Sequence, residues 1–148
     1  MSQYMLKFNV IISSVIISFF LMFPYEDFKQ YVEIDVISVH DGDTIKANVI
    51  LPGKVSLINE NVRFDYDAWE VGHRNGKNIT DAEKIKGQKA KKDLEELLEN
   101  SDKVYGEFFS KDTRDSFGRL LIKPTLKMKD GSIVELNKYM ADKGNIRK

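Results

Sequence analysis

Three short segments of this 148-residue sequence combine charged side chains with turn residues in a way that could support chemistry. They are "HDGDT" (40–44), "DAWE" (67–70) and "DSFGR" (115–119). Asp43 begins one predicted strand and Asp67 ends another, so the two carboxylates could lie on adjacent strand ends. The backbone carbonyl of Ala68 could add a third oxygen. Such an all-oxygen site suits Ca²⁺ or Mg²⁺.

Two further charged residues could act beside such a site. Glu70 follows Asp67 closely enough to reach a metal-bound water without being a ligand, as a general base requires. Arg119 follows a Phe-Gly pair at a predicted strand start, where its guanidinium could point at a phosphate. Simpler interpretations remain open, because Asp-Gly is an ordinary hairpin turn and Arg119 could be a solvated surface residue.

The composition limits the kinds of chemistry that these residues could perform. The absence of cysteine excludes disulfides, thiolate metal sites and a cysteine nucleophile, and two histidines argue against a zinc site of the usual kind. The net charge is zero, yet residues 25–70 are acidic whereas 71–92 and 101–148 are basic. A phosphate-rich partner is therefore compatible with the balanced total. The length fits one domain, and we expect a monomer.

The N-terminal segment differs from the rest of the chain. Lys7 precedes an apolar stretch over residues 8–25, which predicts a signal peptide or, by preference, an uncleaved signal anchor within residues 1–25. A buried core helix is the alternative. Lys7 on the cytoplasmic side would place the domain at 31–148 outside the membrane, either anchored or secreted.

The elements that position the charged segments begin at Tyr31. Alternating apolar residues predict an antiparallel meander of about three strands over 31–67, with a turn at Pro52-Gly53. In the third strand, one face carries Val62, Phe64 and Tyr66, and the other carries Arg63, Asp65 and Asp67.

A helix should follow the third strand. Thr80 and Glu83 have the spacing of a capping box, and Asn100-Ser101 should end the helix. Its predicted apolar positions are Ile85, Ala90, Leu94, Leu97 and Leu98. Two more strands, "KVYGEFF" and "GRLLIKPTLKM", precede a short amphipathic helix in "SIVELNKYMADKG" that Gly144 closes.

These elements predict an α+β, mainly β fold. The expected architecture is a five-stranded Greek-key barrel of the OB type, with an inserted helix and a short C-terminal helix.

Five motifs occur in an order that resembles the thermonuclease family, the staphylococcal-nuclease-like domain. They are "DGDT" (41–44), "RFDYDAWE" (63–70), "GQKA" (87–90), "DSFGR" (115–119) and "GSIVELNKYMADKG" (131–144). Each motif is weak alone, but the ordered set spans about residues 31–144.

The resemblance implies a Ca²⁺-dependent nuclease that hydrolyses DNA or RNA phosphodiesters and leaves 3′-phosphates. Its metal ligands correspond to Asp43, Asp67 and the carbonyl of Ala68. Its catalytic residues correspond to Glu70, which activates water, and to the phosphate-binding Arg63 and Arg119. The alternatives are an inactive nuclease-like module that binds nucleic acid or protein, and a structural envelope protein, which explains only the N-terminal segment.

Several positions depart from the family pattern. Trp69 replaces the usual proline, Phe117 replaces a tyrosine, and Arg63 precedes Asp67 by four residues rather than five. The altered spacing predicts that the side chains of Arg63 and Asp67 are oriented differently relative to each other than in the family, unless a bulge present in the family is missing here.

The roles of several other polar residues stay open. Asp41 could cap its turn or join an outer metal shell, and Asp65 could pair with Arg63. The basic residues around the helix start could guide a nucleic-acid backbone or form a solvated face. They are Arg74, Lys77, Lys84 and Lys86.

Overall fold

A computed structural model describes residues 31–72 and 78–147. Six strands and two helices follow one another in the chain. They are β1 (Tyr31–Val39), β2 (Thr44–Leu51), β3 (Val55–Phe64), α1 (Asp81–Glu99), β4 (Ser101–Phe108), β5 (Leu120–Met128), β6 (Ile133–Glu135) and α2 (Leu136–Asp142). The predicted signal segment 1–25 lies outside the described residues. Within those residues, no helix has the length and hydropathy needed to cross a bilayer.

The strands form a mixed sheet that closes on itself. Their order is β3-β2-β1-β4-β5-β6, and β3 also pairs with β5 in parallel, which joins the first five strands into a barrel. The other pairings are antiparallel, and β6 extends the sheet beyond β5. The prediction of a mainly β fold with five barrel strands and two helices is confirmed at this level.

Alternation along β3 and the residues after it sets the faces of the site. Val62, Phe64 and Tyr66 are buried in the core, as predicted, while the residues between them are partly exposed. The pattern continues to Ala68, which is also buried. Because the alternation is unbroken, Arg63 and Asp67 share one face.

The inserted helix α1 also follows the sequence prediction. Thr80 caps it, and the reciprocal hydrogen bonds with Glu83 complete the capping box. The helix buries Ala90, Leu94 and Leu97. The assignment of Ile85 to the apolar face was wrong, because 66% of this residue is exposed.

The predicted C-terminal helix is shorter than its motif. The first part of the motif, Ile133–Glu135, pairs with β5 as strand β6 instead. Two β-branched residues, Ile133 and Val134, follow Ser132 after the Asp130-Gly131 turn and favour a hairpin over a helix. The helix proper buries Leu136 and Met140, and Gly144 has a φ of 73°, consistent with the predicted closing glycine.

Helix α1 packs tightly against the backbone of Glu70 at Gly87. A Cβ atom at this position would lie 1.9 Å from the backbone oxygen of Glu70, which no flexible side chain could relieve. In an open helix, replacing glycine by alanine is favourable by up to about 1 kcal/mol. Here we expect Gly87→Ala to destabilise the protein by about 2 kcal/mol or more, because the backbone at Glu70 must move.

Chemical denaturation monitored by circular dichroism would measure this difference. The control is Gln88→Ala, which changes an exposed neighbour on the same helix and should leave stability nearly unchanged. A Gly87→Ala variant as stable as the original chain would contradict the close approach of α1 to Glu70.

Candidate functional site

The loop between β1 and β2 carries the first charged motif and is tightly held. The backbone N–H of Asp43 donates to Asp41 Oδ1 at 3.2 Å, so Asp41 caps the turn. A Cβ atom on Gly42 would come within 2.8 Å of the Cβ atoms of Ala68 and Ala90. The loop is therefore fixed between the segment that follows β3 and helix α1.

Asp43 is the buried centre of this region, with 2% of its surface exposed. Its Oδ2 accepts the backbone N–H of Ala68 at 2.7 Å, and its Oδ1 accepts the hydroxyl of Thr44 at 2.9 Å. Arg63 also forms an ion pair with Oδ1. The structure thus brings Asp43 and Ala68 together, with the N–H of Ala68 bonded to the carboxylate.

Arg63 bridges the two carboxylates that the sequence singled out. Its Nη2 lies 2.8 Å from Asp67 Oδ1, while its Nη1 pairs with Asp43. The four-residue spacing does not separate Arg63 from Asp67, because without a bulge an even spacing keeps both side chains on one face of the extended chain. Asp43 and Asp67 therefore converge on one guanidinium group.

A second arginine, which sequence analysis missed, completes this network. Arg147 forms an ion pair with Asp67 Oδ2, and its backbone N–H donates to the Asp67 carbonyl at 2.8 Å. Ile146 forms a β-bridge with Ala68, which aligns the two segments. The available signal was the short polar-apolar-polar run at 145–147, too brief to predict a strand pairing.

The surroundings of Asp43 shift its pKa far from the usual value of an aspartate. Burial raises the pKa of its carboxyl to about 7, Asp41 reinforces the rise, and Arg63 opposes it. Burial acts to lower the pKa of Arg63, but Asp43 and Asp67 outweigh it and raise the pKa. A positive charge next to Asp43 consequently favours its ionised form, against the effects of burial and of Asp41.

Glu70 stands apart from the ion-pair network. It is partly buried, and among the described residues its carboxylate has no hydrogen bond or ion pair. The nearby contact of its backbone with Gly87 ties its position to α1. Within the described part of the chain, this side chain is thus a carboxylate without a partner, three residues beyond Asp67.

Arg119 is held in place by its own turn. Its Nε donates to Asp115 Oδ2 at 2.8 Å, and Asp115 Oδ1 accepts the backbone N–H groups of Phe117 and Arg119, each at 3.0 Å. Burial acts to raise the pKa of Asp115, but these hydrogen bonds outweigh it and lower the pKa. Nη1 of Arg119 reaches the Thr44 hydroxyl at 3.4 Å, which connects it to Asp43.

The remaining candidates divide into three groups. The pairing of Asp65 with Arg63, which the sequence left open, does not occur; Asp65 instead accepts a hydrogen bond from Asn137 of α2 at 3.0 Å. Lys86 places its ammonium 4.3 Å from the centroid of the Trp69 ring, and Lys84 is exposed. Arg74 and Lys77 lie outside the described residues.

Within the described part of the chain, no three His, Asp or Glu side chains cluster as a metal site.

Comparison of the chain with protein-family models and with curated proteins finds no match. The thermonuclease resemblance is therefore a prediction from its five motifs.

The backbone at Trp69 offers a direct test of how this segment is held. Its N–H donates to the carbonyl of Asn145 at 3.2 Å, a bond that proline could not make. We expect Trp69→Pro to destabilise the protein by about 1–3 kcal/mol, since it leaves the Asn145 carbonyl without this partner. Trp69→Leu removes the indole but keeps the N–H, and provides the matched control.

Thermal and denaturant unfolding of both variants would separate the two contributions. Trp69→Pro should lose more stability than Trp69→Leu. An equal loss in both variants would show that the indole, and not the backbone bond, secures the segment.

The raised pKa of Asp43 predicts a particular pH dependence in metal-free protein. Between about pH 4 and pH 7, folded Asp43 retains a proton that the unfolded chain releases, so stability should fall as the pH rises through this window. The contribution of one proton to this slope is at most about 1.4 kcal/mol per pH unit.

Asp43→Asn should remove that contribution, which denaturant titrations in EDTA at several pH values would detect. Asp65 also has a raised pKa, but it is present in both proteins and cancels in the comparison. Parallel pH profiles for the two proteins would contradict the assignment to Asp43.

Proposed function

We propose that this chain is a Ca²⁺-dependent nuclease that hydrolyses phosphodiester bonds of DNA or RNA and leaves 3′-phosphates. The observation that carries the proposal is the convergence of Asp43 and Asp67 on a single cation, Arg63. Beside them lie the fixed guanidinium of Arg119 and the segment that bears Glu70. One region thus combines two carboxylates that need a cation, an arginine that could bind phosphate and a glutamate that could act as a base.

The topology supports the finer assignment of an OB-type Greek-key barrel. Strand β1 lies between β2 and β4, and the parallel β3–β5 pairing closes the barrel, with α1 inserted between β3 and β4. Such barrels commonly bind oligonucleotides on their surface. Three motifs of the thermonuclease resemblance, at 41–44, 63–70 and 115–119, lie at strand ends or junctions, whereas the motif at 87–90 lies within α1 and the one at 131–144 spans β6 and α2.

The residues present fit a calcium ion in chemical type. Asp43, Asp67 and the carbonyl of Ala68 would supply hard oxygen donors, with water completing the coordination. The raised pKa of buried Asp43 supports the fit, because a divalent cation would favour the ionised carboxylate that burial disfavours. When bound, Ca²⁺ would polarise the phosphoryl oxygens and promote ionisation of the attacking water.

The chain's own residues would then divide the remaining work. Glu70 accepts the proton of the water that attacks phosphorus, while the bond to the 5′-oxygen breaks and that oxygen takes a proton from solvent. Arg119 binds the non-bridging phosphate oxygens. Arg63 pairs with the two aspartates here, and it would bind phosphate once another cation neutralises them.

The proposed location of the protein rests on the prediction for its N-terminal segment. Residues 1–25 would act as a signal peptide or signal anchor, with 8–25 as the apolar part, and would deliver a monomeric domain outside the cytoplasmic membrane. An extracytoplasmic location would give the site access to Ca²⁺ and to nucleic acid.

One observation favours a second candidate, an inactive module that binds nucleic acid or protein. All four carboxylate oxygens of Asp43 and Asp67 already have partners within the chain, and Arg147 occupies one of them. If this ion-pair network does not open for a metal, the barrel could still bind an oligonucleotide without cleaving it.

Glu70→Gln tests the nuclease directly, because glutamine keeps the shape of the side chain but cannot accept the proton. The full-length chain in detergent would be assayed on single-stranded DNA and RNA with Ca²⁺ and with EDTA. We expect the variant to lose about 10²- to 10⁴-fold in rate and EDTA to abolish cleavage.

The matched control is Glu96→Gln, which makes the same change on an exposed position of α1 and should retain full activity. Cleavage that is indifferent to both EDTA and Glu70→Gln would contradict the proposal. A folded chain that binds oligonucleotide without any cleavage would favour the inactive module.

A further inference from the structure

A cavity lies on the barrel surface next to the ion-pair network. Its volume is about 340 Å³. The polar residues that line it are Ser38, His40, Thr44, Lys46, Asn61 and Arg119. Thr44 and Arg119 belong to the candidate site as well, since the Thr44 hydroxyl contacts both Asp43 and Arg119. The cavity therefore adjoins the candidate site at Arg119, the proposed phosphate-binding residue.

The sheet register explains why these side chains lie together. Lys46 is the cross-strand partner of Ser38 on β1 and of Asn61 on β3, so the three residues form one row across the strands. Thr44 and Arg63 form another row two residues away. Two residues along a strand span about 6.6–6.8 Å, comparable to the separation of consecutive phosphates in an extended nucleic-acid strand.

The charge of the cavity favours an anion. Lys46 is exposed and, within the described part of the chain, forms no ion pair or hydrogen bond. Arg119 has its Nε fixed by Asp115, while its Nη2 atom has no protein partner among the described residues. No acidic side chain described by the structure lines the cavity. Ser38 and Asn61 add hydrogen-bond donors on the two strands that flank Lys46.

An exposed aromatic ring next to Arg119 favours single-stranded over duplex nucleic acid. Phe117 is 81% exposed, and the guanidinium carbon of Arg119 lies 5.4 Å from its ring centroid. Single-stranded nucleic acid combines phosphate contacts with base stacking on such rings, whereas the bases of a duplex are already stacked.

We infer that this cavity is a subsite for the phosphate adjacent to the scissile one in a single-stranded nucleic acid. Lys46 binds that phosphate, and Ser38 and Asn61 donate hydrogen bonds to it, while Arg119 holds the scissile phosphate. The inference rests on the proposed function for the identity of the scissile phosphate. Binding at the subsite does not require cleavage, so the two can fail separately.

Lys46→Gln tests the subsite in EDTA, where cleavage is not needed. The probe is a fluorescein-labelled oligothymidylate of about 12 nucleotides, within the range that one OB-type barrel covers. Fluorescence anisotropy with the full-length chain would give the affinity at several salt concentrations. We expect about fivefold weaker binding at low salt, with a log–log salt dependence shallower by about 0.7, the value for one phosphate contact on a single strand.

Two further variants make the test specific. Lys127→Gln removes the same charge from an exposed position at the far end of β5 and should leave affinity and salt dependence unchanged. Lys46→Arg keeps the cation and should retain the salt dependence. Circular dichroism melting would confirm that all three variants fold like the original chain.

The subsite is overturned if Lys46→Gln has no effect, if Lys127→Gln weakens binding equally, or if the original chain does not bind the oligonucleotide. Polyglutamate of matched charge, bound as tightly and with the same dependence on Lys46, would overturn the assignment to nucleic acid. Lys46-dependent binding by a chain that does not cleave with Ca²⁺ would support the subsite and contradict the nuclease.

Discussion

The buried carboxylate of Asp43 is the constraint around which this part of the structure is organised. A carboxylate with 2% exposure is unfavourable unless cations or hydrogen-bond donors surround it. Arg63, Thr44 and the N–H of Ala68 supply those partners, and each comes from a different stretch of chain. The ion pair is therefore less a source of net stability than a device that fixes how the β1–β2 loop, β3 and the segment after β3 meet.

Hydrogen bonds around the same segment explain how Trp69 can replace the proline that is usual in the thermonuclease family, which this sequence resembles. A proline ring would fix φ, but it could not donate a hydrogen bond. In this chain the Trp69 N–H bonds to Asn145, the Arg147 N–H bonds to Asp67, and Asn145 is itself buried with its side chain bonded to Asp93. A non-local β-bridge thus holds the segment that a local ring constraint would otherwise have to hold.

The contrast between local and non-local interactions also decides what the sequence could predict. The capping box at Thr80, the core face of β3 and the closing Gly144 depend on residues within a few positions of each other, and all three were predictable. Arg147 contacts Asp67 across 80 positions, so no periodicity could indicate it. The partner of Asp65 was missed for the same reason, because Asn137 lies 72 positions away.

Helix α1 gives the site its rigidity through small residues rather than through charged ones. Gly42 and Ala90 leave just enough room for the aspartate-bearing loop to touch the helix, and Gly87 leaves room for the backbone of Glu70. A larger side chain at either glycine would move a segment that carries a candidate acidic residue, because the contacting atoms are backbone or Cβ atoms with little freedom. The loop with Asp43 and the segment with Glu70 therefore share one support, so their separation is set by the packing of α1 and not by the flexible side chains between them.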